Sequence, residues 1–268
     1  MRRPSMCCRL SLALCLLAVA GARAEILKPD VPVAGQSQAE WSVAWWQWAL
    51  SFPVTQSPQT DTTGALSFLG DQGPVFFLPG SITTAPITRS ITVREGQFLL
   101  MPLINVWGFA EGSAYGGGEA NLRRDAIETI GITPLGEAPG TTLFAQLNGT
   151  DLSLPSGATS LLDLRQISPP GLFDVSLPPD SLFGFPAGTY PSVSDGWWIM
   201  LSPLAPGTYT LHTGGNTAGL GAYAGGTFSQ DITAIITVEP VPEPSTMLLL
   251  CTGLFAMMWY GGRKHRLR

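Results

Sequence analysis

Trp41, Trp45, Trp48 and Phe52 fall at i, i+4, i+7 and i+11, which places four large rings on one face of a 3.6-residue period. Ser37-Gln38-Ala39-Glu40 stands just before them as a capping box: the Ser37 hydroxyl can accept the N–H three residues on, and Glu40 can reach back. This predicts a helix running to about Leu50. Each large ring buries on the order of 150 to 250 Å², so the stripe is read as core packing, with Trp46, off the stripe, as the more exposed ring.

From Gly73 onward the pattern changes to short apolar or alternating runs. Strands are expected at Pro74 to Leu78, Ile87 to Val93, Gln97 to Val106, Leu143 to Leu147 and Thr150 to Leu154. Others are expected at Leu161 to Ile167, Leu172 to Leu177, Trp197 to Leu201, Thr208 to Thr213 and Asp231 to Val238. Asn148-Gly149 between two of them is a strong hairpin signal, because both residue types tolerate positive φ. One helix interrupts, Glu119 to Ile130, with Leu122, Ala126 and Ile130 four apart, Glu119 and Arg123 spaced for an i,i+4 pair, and Gly131 as a stop. The expected fold is all-β: an antiparallel sandwich over residues 25–240, with an N-terminal amphipathic Trp-rich helix and one short inserted helix packed across its end.

Composition narrows the function classes. Gly 31 and Pro 23 among 268 residues require frequent turns, and 12% charged against 45% hydrophobic residues suits neither a disordered chain nor a nucleic-acid binder. Six basic residues, Lys28, Arg89, Arg94, Arg123, Arg124 and Arg165, face 18 acids between Glu25 and Glu239, a balance of -12 that disfavours binding to nucleic acid or anionic membranes. Cys7, Cys8, Cys15 and Cys251 all lie in the apolar ends, so the body holds no disulfide, Cys nucleophile or thiolate metal site.

Both ends carry targeting patterns. Arg2, Arg3 and Arg9, the apolar run Leu10 to Ala20 and the site Ala22-Arg23-Ala24 read as a secretory signal peptide over residues 1–24, cut by signal peptidase after Ala24. At the other end, proline at alternate positions keeps Val241 to Pro244 extended. The apolar stretch of about 246–262 is just long enough to cross a bilayer, and the basic tail 263–268 holds its end in the cytoplasm.

Val241, Pro242, Glu243 and Pro244, followed by Ser245-Thr246, the hydrophobic helix and the arginine-rich tail, resemble a PEP-CTERM sorting domain over residues 241–268. The resemblance implies a transmembrane sorting helix that resides in the inner membrane only transiently, and processing by exosortase. It also implies delivery to the cell surface or extracellular matrix of a Gram-negative bacterium that makes exopolysaccharide. The block order of the body is similar to that of exported bacterial proteins without assigned activity.

Within the body the types that supply catalysis are scarce. His212 is its only histidine, on a strand face with Thr208 and Thr210, and is read as surface. Glu111, Glu119, Asp174, Asp180 and Asp195 are the acids available to a carboxylate pair, but scattered acids usually form a solvated face. Gly116-Gly117-Gly118 and the stretch Gly214 to Gly226 lack the companions of a phosphate loop and are read as flexible loops. Trp197 and Trp198 must point to opposite sides of a strand, which leaves Trp198 as a glycan contact unless a second layer covers it. The expectation is a non-enzymatic exported protein, structural or glycan-adhesive, with no cofactor, no metal and no catalytic residue; the alternative is a carboxylate-dependent polysaccharide hydrolase.

Overall fold

Two sheets stacked face to face organise the chain in the computed structural model, which describes residues 24–241. The first sheet contains β1 (Asp71–Gln72), β2 (Val75–Phe77), β4 (Phe98–Phe109), β9 (Gly188–Leu201) and β7 (Arg165–Ile167) in that order, with β8 (Phe173–Leu177) also pairing β9. The second runs β3 (Ile87–Arg94), β11 (Thr227–Glu239), β10 (Gly207–Ala218), β5 (Thr142–Leu147) and β6 (Thr150–Asp151). Leu99, Met101, Trp197, Ile199, Leu211 and Ile236 belong to the core between them. Glu25, expected to lead the body, is tied in by its N–H to Ser202 Oγ at 2.9 Å and by its carbonyl, which accepts Ser202 N–H at 2.9 Å.

The mostly-β, two-sheet architecture with few helices agrees with the expected sandwich, but the pairing is mixed. β3 runs parallel to β11 through eight residue pairs from Ile87↔Ile232 to Arg94↔Glu239, and β2 runs parallel to β4. Local patterning cannot signal this, because a strand reads the same whichever way its neighbour runs. The Leu161 to Ile167 run divides into a 3-10 turn, Leu161–Leu164, and β7, because Ser160 and Asp163 form a capping box. Gly214 and Gly215 are not loop but β10: an ideal Cβ on Gly214 would sit 2.0 Å from Gln230 O, and one on Gly215 2.4 Å from Thr142 O. Glycine here permits close strand approach rather than flexibility.

Helix α1 (Gln38–Ala49) starts at the expected capping box, with Ser37 N–H donating to Glu40 Oε2 at 2.7 Å. It covers the outer face of the first sheet, where Trp41, Trp45 and Trp48 pack with Phe77, Leu100, Trp198 and Met200. Helix α2 (Glu119–Thr129) packs Leu122 and Ala126 on Val193 at one end of the inner face. Between Pro102 and Ile104 the β4–β9 register shifts, so side chains beyond the bulge change faces: Met101 and Leu103 belong to the inter-sheet core, while Trp107 and Phe109 join the α1 side. Among the described residues no helix is long and apolar enough to cross a membrane; residues 1–23 and 242–268, with most of the signal peptide and the sorting helix, lie outside them.

Candidate functional site

Of the five acids singled out from the sequence, Asp195 and Glu119 are engaged by the protein itself. Asp195 is 4% exposed at its side chain and takes a two-point ion pair from Arg165, with Nε to Oδ1 at 2.7 Å and Nη2 to Oδ2 at 2.5 Å. Burial raises its pKa, and the Arg165 fork opposes that rise. Glu119 sits below the ordinary carboxylate range because it accepts Gly171 N–H and pairs with Arg123. Glu111, Asp174 and Asp180 are exposed. Among the described residues no three His, Cys, Asp or Glu side chains gather as a metal site would require.

His212 lies on the outer face of the second sheet, 2.9 Å from Asp231 and with its ring 4.6 Å from that of Phe144. That face is rich in hydroxyl side chains. Thr92, Thr237 and Thr208 stand in one cross-strand row, Ser90, Ile235 and Thr210 in the next, and Thr88, Thr233, His212 and Gln146 in a third.

Trp198 requires a correction. It is 1% exposed and meets Trp45 edge-on, ring centroids 5.3 Å apart, because α1 forms the second layer over that face. A sugar ring has no access to it. Trp46 is likewise not an exposed ring: it is 5% exposed and packs edge-on to Trp45 at 5.1 Å, since the chain around Gln59 and Ser81 covers the second flank of α1.

A cavity of ligand size was not legible in the sequence. A cavity of about 410 Å³ lies at the end of the sandwich, between α1, the far half of β4, the end of α2, the start of β11 and the loop carrying Phe183 and Phe185. β4 has β9 along one side, but β2 accompanies its other side only over Phe98–Leu100, so the edge beyond has no strand beside it among the described residues. Trp107 and Phe109 stack at 3.9 Å there, and Phe185 meets Phe109 edge-on at 4.7 Å. The lining holds no charged side chain. Its Gln59, Ser81, Thr129 and Gln230 already bond to the protein. Trp46 Nε1 and Asn105 Nδ2 are buried without a partner and, with almost no accessible surface, do not open onto the cavity. Five of the seven indole N–H groups among the described residues find an acceptor, and those of Trp46 and Trp198 do not. An unmet buried donor costs about 1 to 3 kcal/mol. The Phe183-x-Phe185 and Trp107-x-Phe109 pairs were the signal available, but neither indicates that they converge.

Arg89 was also missed as a structural residue, although its place on the apolar face of Ile87, Ile91 and Val93 marks it. It is fully buried and donates to the carbonyls of Asp61, Pro79 and Gly80 at 2.6, 2.7 and 2.9 Å. Burial lowers its pKa to about 10, against the opposing charge of Asp61.

Against known families, residues 240–264 match the PEP-CTERM protein-sorting motif. The chain thus carries a PEP-CTERM sorting motif, and that motif implies export, membrane-anchored sorting in Gram-negative bacteria and exosortase as the processing partner. The match takes in Gly261, Gly262 and Arg263 and stops at Lys264, within the basic tail. No curated protein matches the chain. A solved structure described as PbICP-C in complex with falcipain-2 aligns at 12% identity over 62% of this chain and 100% of that one, with a TM-score of 0.21, too slight a likeness to carry an argument.

Proposed function

We propose that the chain is an exported, exosortase-processed surface or extracellular-matrix protein whose body is non-catalytic and glycan-adhesive. The sorting motif supports the route. The observation that carries the adhesive reading is the outer face of the second sheet, where Thr88, Ser90, Thr92, Thr208, Thr210 and Thr237 are exposed in register on one side. Each hydroxyl can both donate and accept, as a polysaccharide hydroxyl does. The engagement of Asp195 by Arg165 and of Glu119 by Arg123 and Gly171 supports the non-catalytic half.

Fractionation of the host with and without its exosortase, with intact-mass measurement, tests the route: the released protein begins at Glu25 and lacks Met247 to Arg268. Retention on the host exopolysaccharide tests the body. Thr210→Glu together with Thr92→Glu abolishes it, and Trp198→Ala does not act through sugar contact. Reducing-sugar release by the purified protein, lost on replacing one acid by its amide, overturns the reading in favour of the hydrolase.

A further inference from the structure

We propose that, while the sorting segment holds the chain to the membrane, the sandwich stands on the bilayer by the pole at which both ends of the body leave it, and so presents the aromatic cavity outward. The proposal rests on the anchored route given above and concerns which surface that route puts against lipid.

Both ends of the body converge on one pole. On the N-terminal side Ile26 bridges Leu201 at the end of β9, and Glu25 exchanges hydrogen bonds with Ser202. On the C-terminal side β11 ends at Glu239, whose carbonyl accepts Glu95 N–H at 2.8 Å from the turn between β3 and β4. Leu99 pairs with Leu201 and Gly207 with Val238, so the starts of β4 and β10 lie at this pole too. The cavity is at the other: Phe109 ends β4, and Phe228 and Gln230 belong to the start of β11.

Lengths decide the orientation. The sheet holds the chain as far as Glu239, and the apolar run begins at Met247, eight residues on. That stretch reaches at most about 29 Å even when fully extended. Phe228 lies eleven residues back along β11, about 36 Å from Glu239 at a strand rise of about 3.3 Å. The tether is thus shorter than the body, and the sandwich cannot invert to set its cavity pole down on the membrane that anchors it. Lying flat is opposed by charge. Six basic residues against 18 acids between Glu25 and Glu239 repel an anionic bilayer, most strongly when a long side of the body comes within a Debye length of about 10 Å. The cavity therefore meets solutes that arrive from outside rather than molecules dissolved in the anchoring bilayer.

Energy transfer tests the orientation. The full chain freed of its signal peptide, with Cys251→Ser, is reconstituted in vesicles of phosphatidylethanolamine and phosphatidylglycerol that carry an acceptor dye on the lipid headgroups. A donor dye is attached through Glu95→Cys at the tethered pole or through Ala224→Cys in the loop between β10 and β11 at the other, both exposed positions. Transfer is expected to be several-fold more efficient from position 95 than from position 224. A flexible Gly-Ser insert of about twelve residues after Glu239 makes the tether longer than the body, and is expected to bring the two efficiencies together. Equal transfer from the two positions in the chain without the insert, or more from position 224, overturns the proposal, as does a difference that the insert leaves unchanged. Flotation with the vesicles reads the anchoring separately. A chain that does not float overturns the anchored route and this orientation together, whereas one that floats and gives equal transfer overturns the orientation alone.

Discussion

Trp198 on β9 meets Trp45 on α1 edge-on, ring centroids 5.3 Å apart at 75°. The two indoles, both almost wholly buried, join the helix to the outer face of the first sheet. Trp198→Ala is therefore expected to cost about 3 to 5 kcal/mol of stability, as large-to-small changes in a packed core do. Chemical denaturation measures it; a loss below about 1 kcal/mol would contradict the packing role.

The buried Arg165–Asp195 pair gives a second expectation. Removing one partner leaves a charge buried and unpaired, so Asp195→Ala is expected to cost about 3 to 5 kcal/mol. Arg165→Met combined with Asp195→Leu removes both charges and recovers most of that loss. A double-mutant cycle by urea denaturation decides it: additive losses would show that the two side chains are not coupled.

Gly214 is expected to tolerate no side chain. An ideal Cβ there would lie 2.0 Å from Gln230 O, and no side-chain rotation relieves the clash, because the obstacle is backbone. Gly214→Ala should separate β10 from β11 locally and cost about 2 kcal/mol. Hydrogen exchange at Gln230 to Ile232 reads the opening; unchanged protection would refute it.

Asp61 ties stability to pH. Burial acts to raise its pKa, but N–H groups of Leu66, Thr63 and Gly64 and the Thr63 hydroxyl outweigh it and hold the carboxyl below its ordinary 3.8. A carboxyl lowered in the folded state stabilises fully above its unfolded value and loses that contribution as pH falls through the folded one. Its own carbonyl accepts Arg89 Nε at 2.6 Å, so protonation loosens the turn that seats Arg89. The melting temperature of Asp61→Asn should match the parent's dependence poorly between about pH 5 and pH 3, falling less steeply. Parallel acid curves would exclude Asp61 as a contributor.

What the sequence determined by itself was whatever rests on neighbours along the chain. The capping box at Ser37 and Glu40, the tryptophan period of α1 and the positive φ of Asn148 (52°) and Gly149 (76°) are local and appear where the pattern put them. The sorting motif is local too, since it is read from consecutive residues, Val241 to Pro244 and the apolar run after them. Tertiary structure decided what depends on which surfaces meet. Whether Trp198 faced water or a helix rested on where α1 lands, and no residue beside it carries that information. β3 pairs in parallel with β11, Ile87 beside Ile232, because the chain closes the sheet far along its length. The cavity is assembled from segments between Trp46 and Gln230, each with an ordinary apolar or polar residue to contribute. Periodicity records which side of an element is apolar, but the partner that covers it, and the edge left uncovered, follow only from long-range packing.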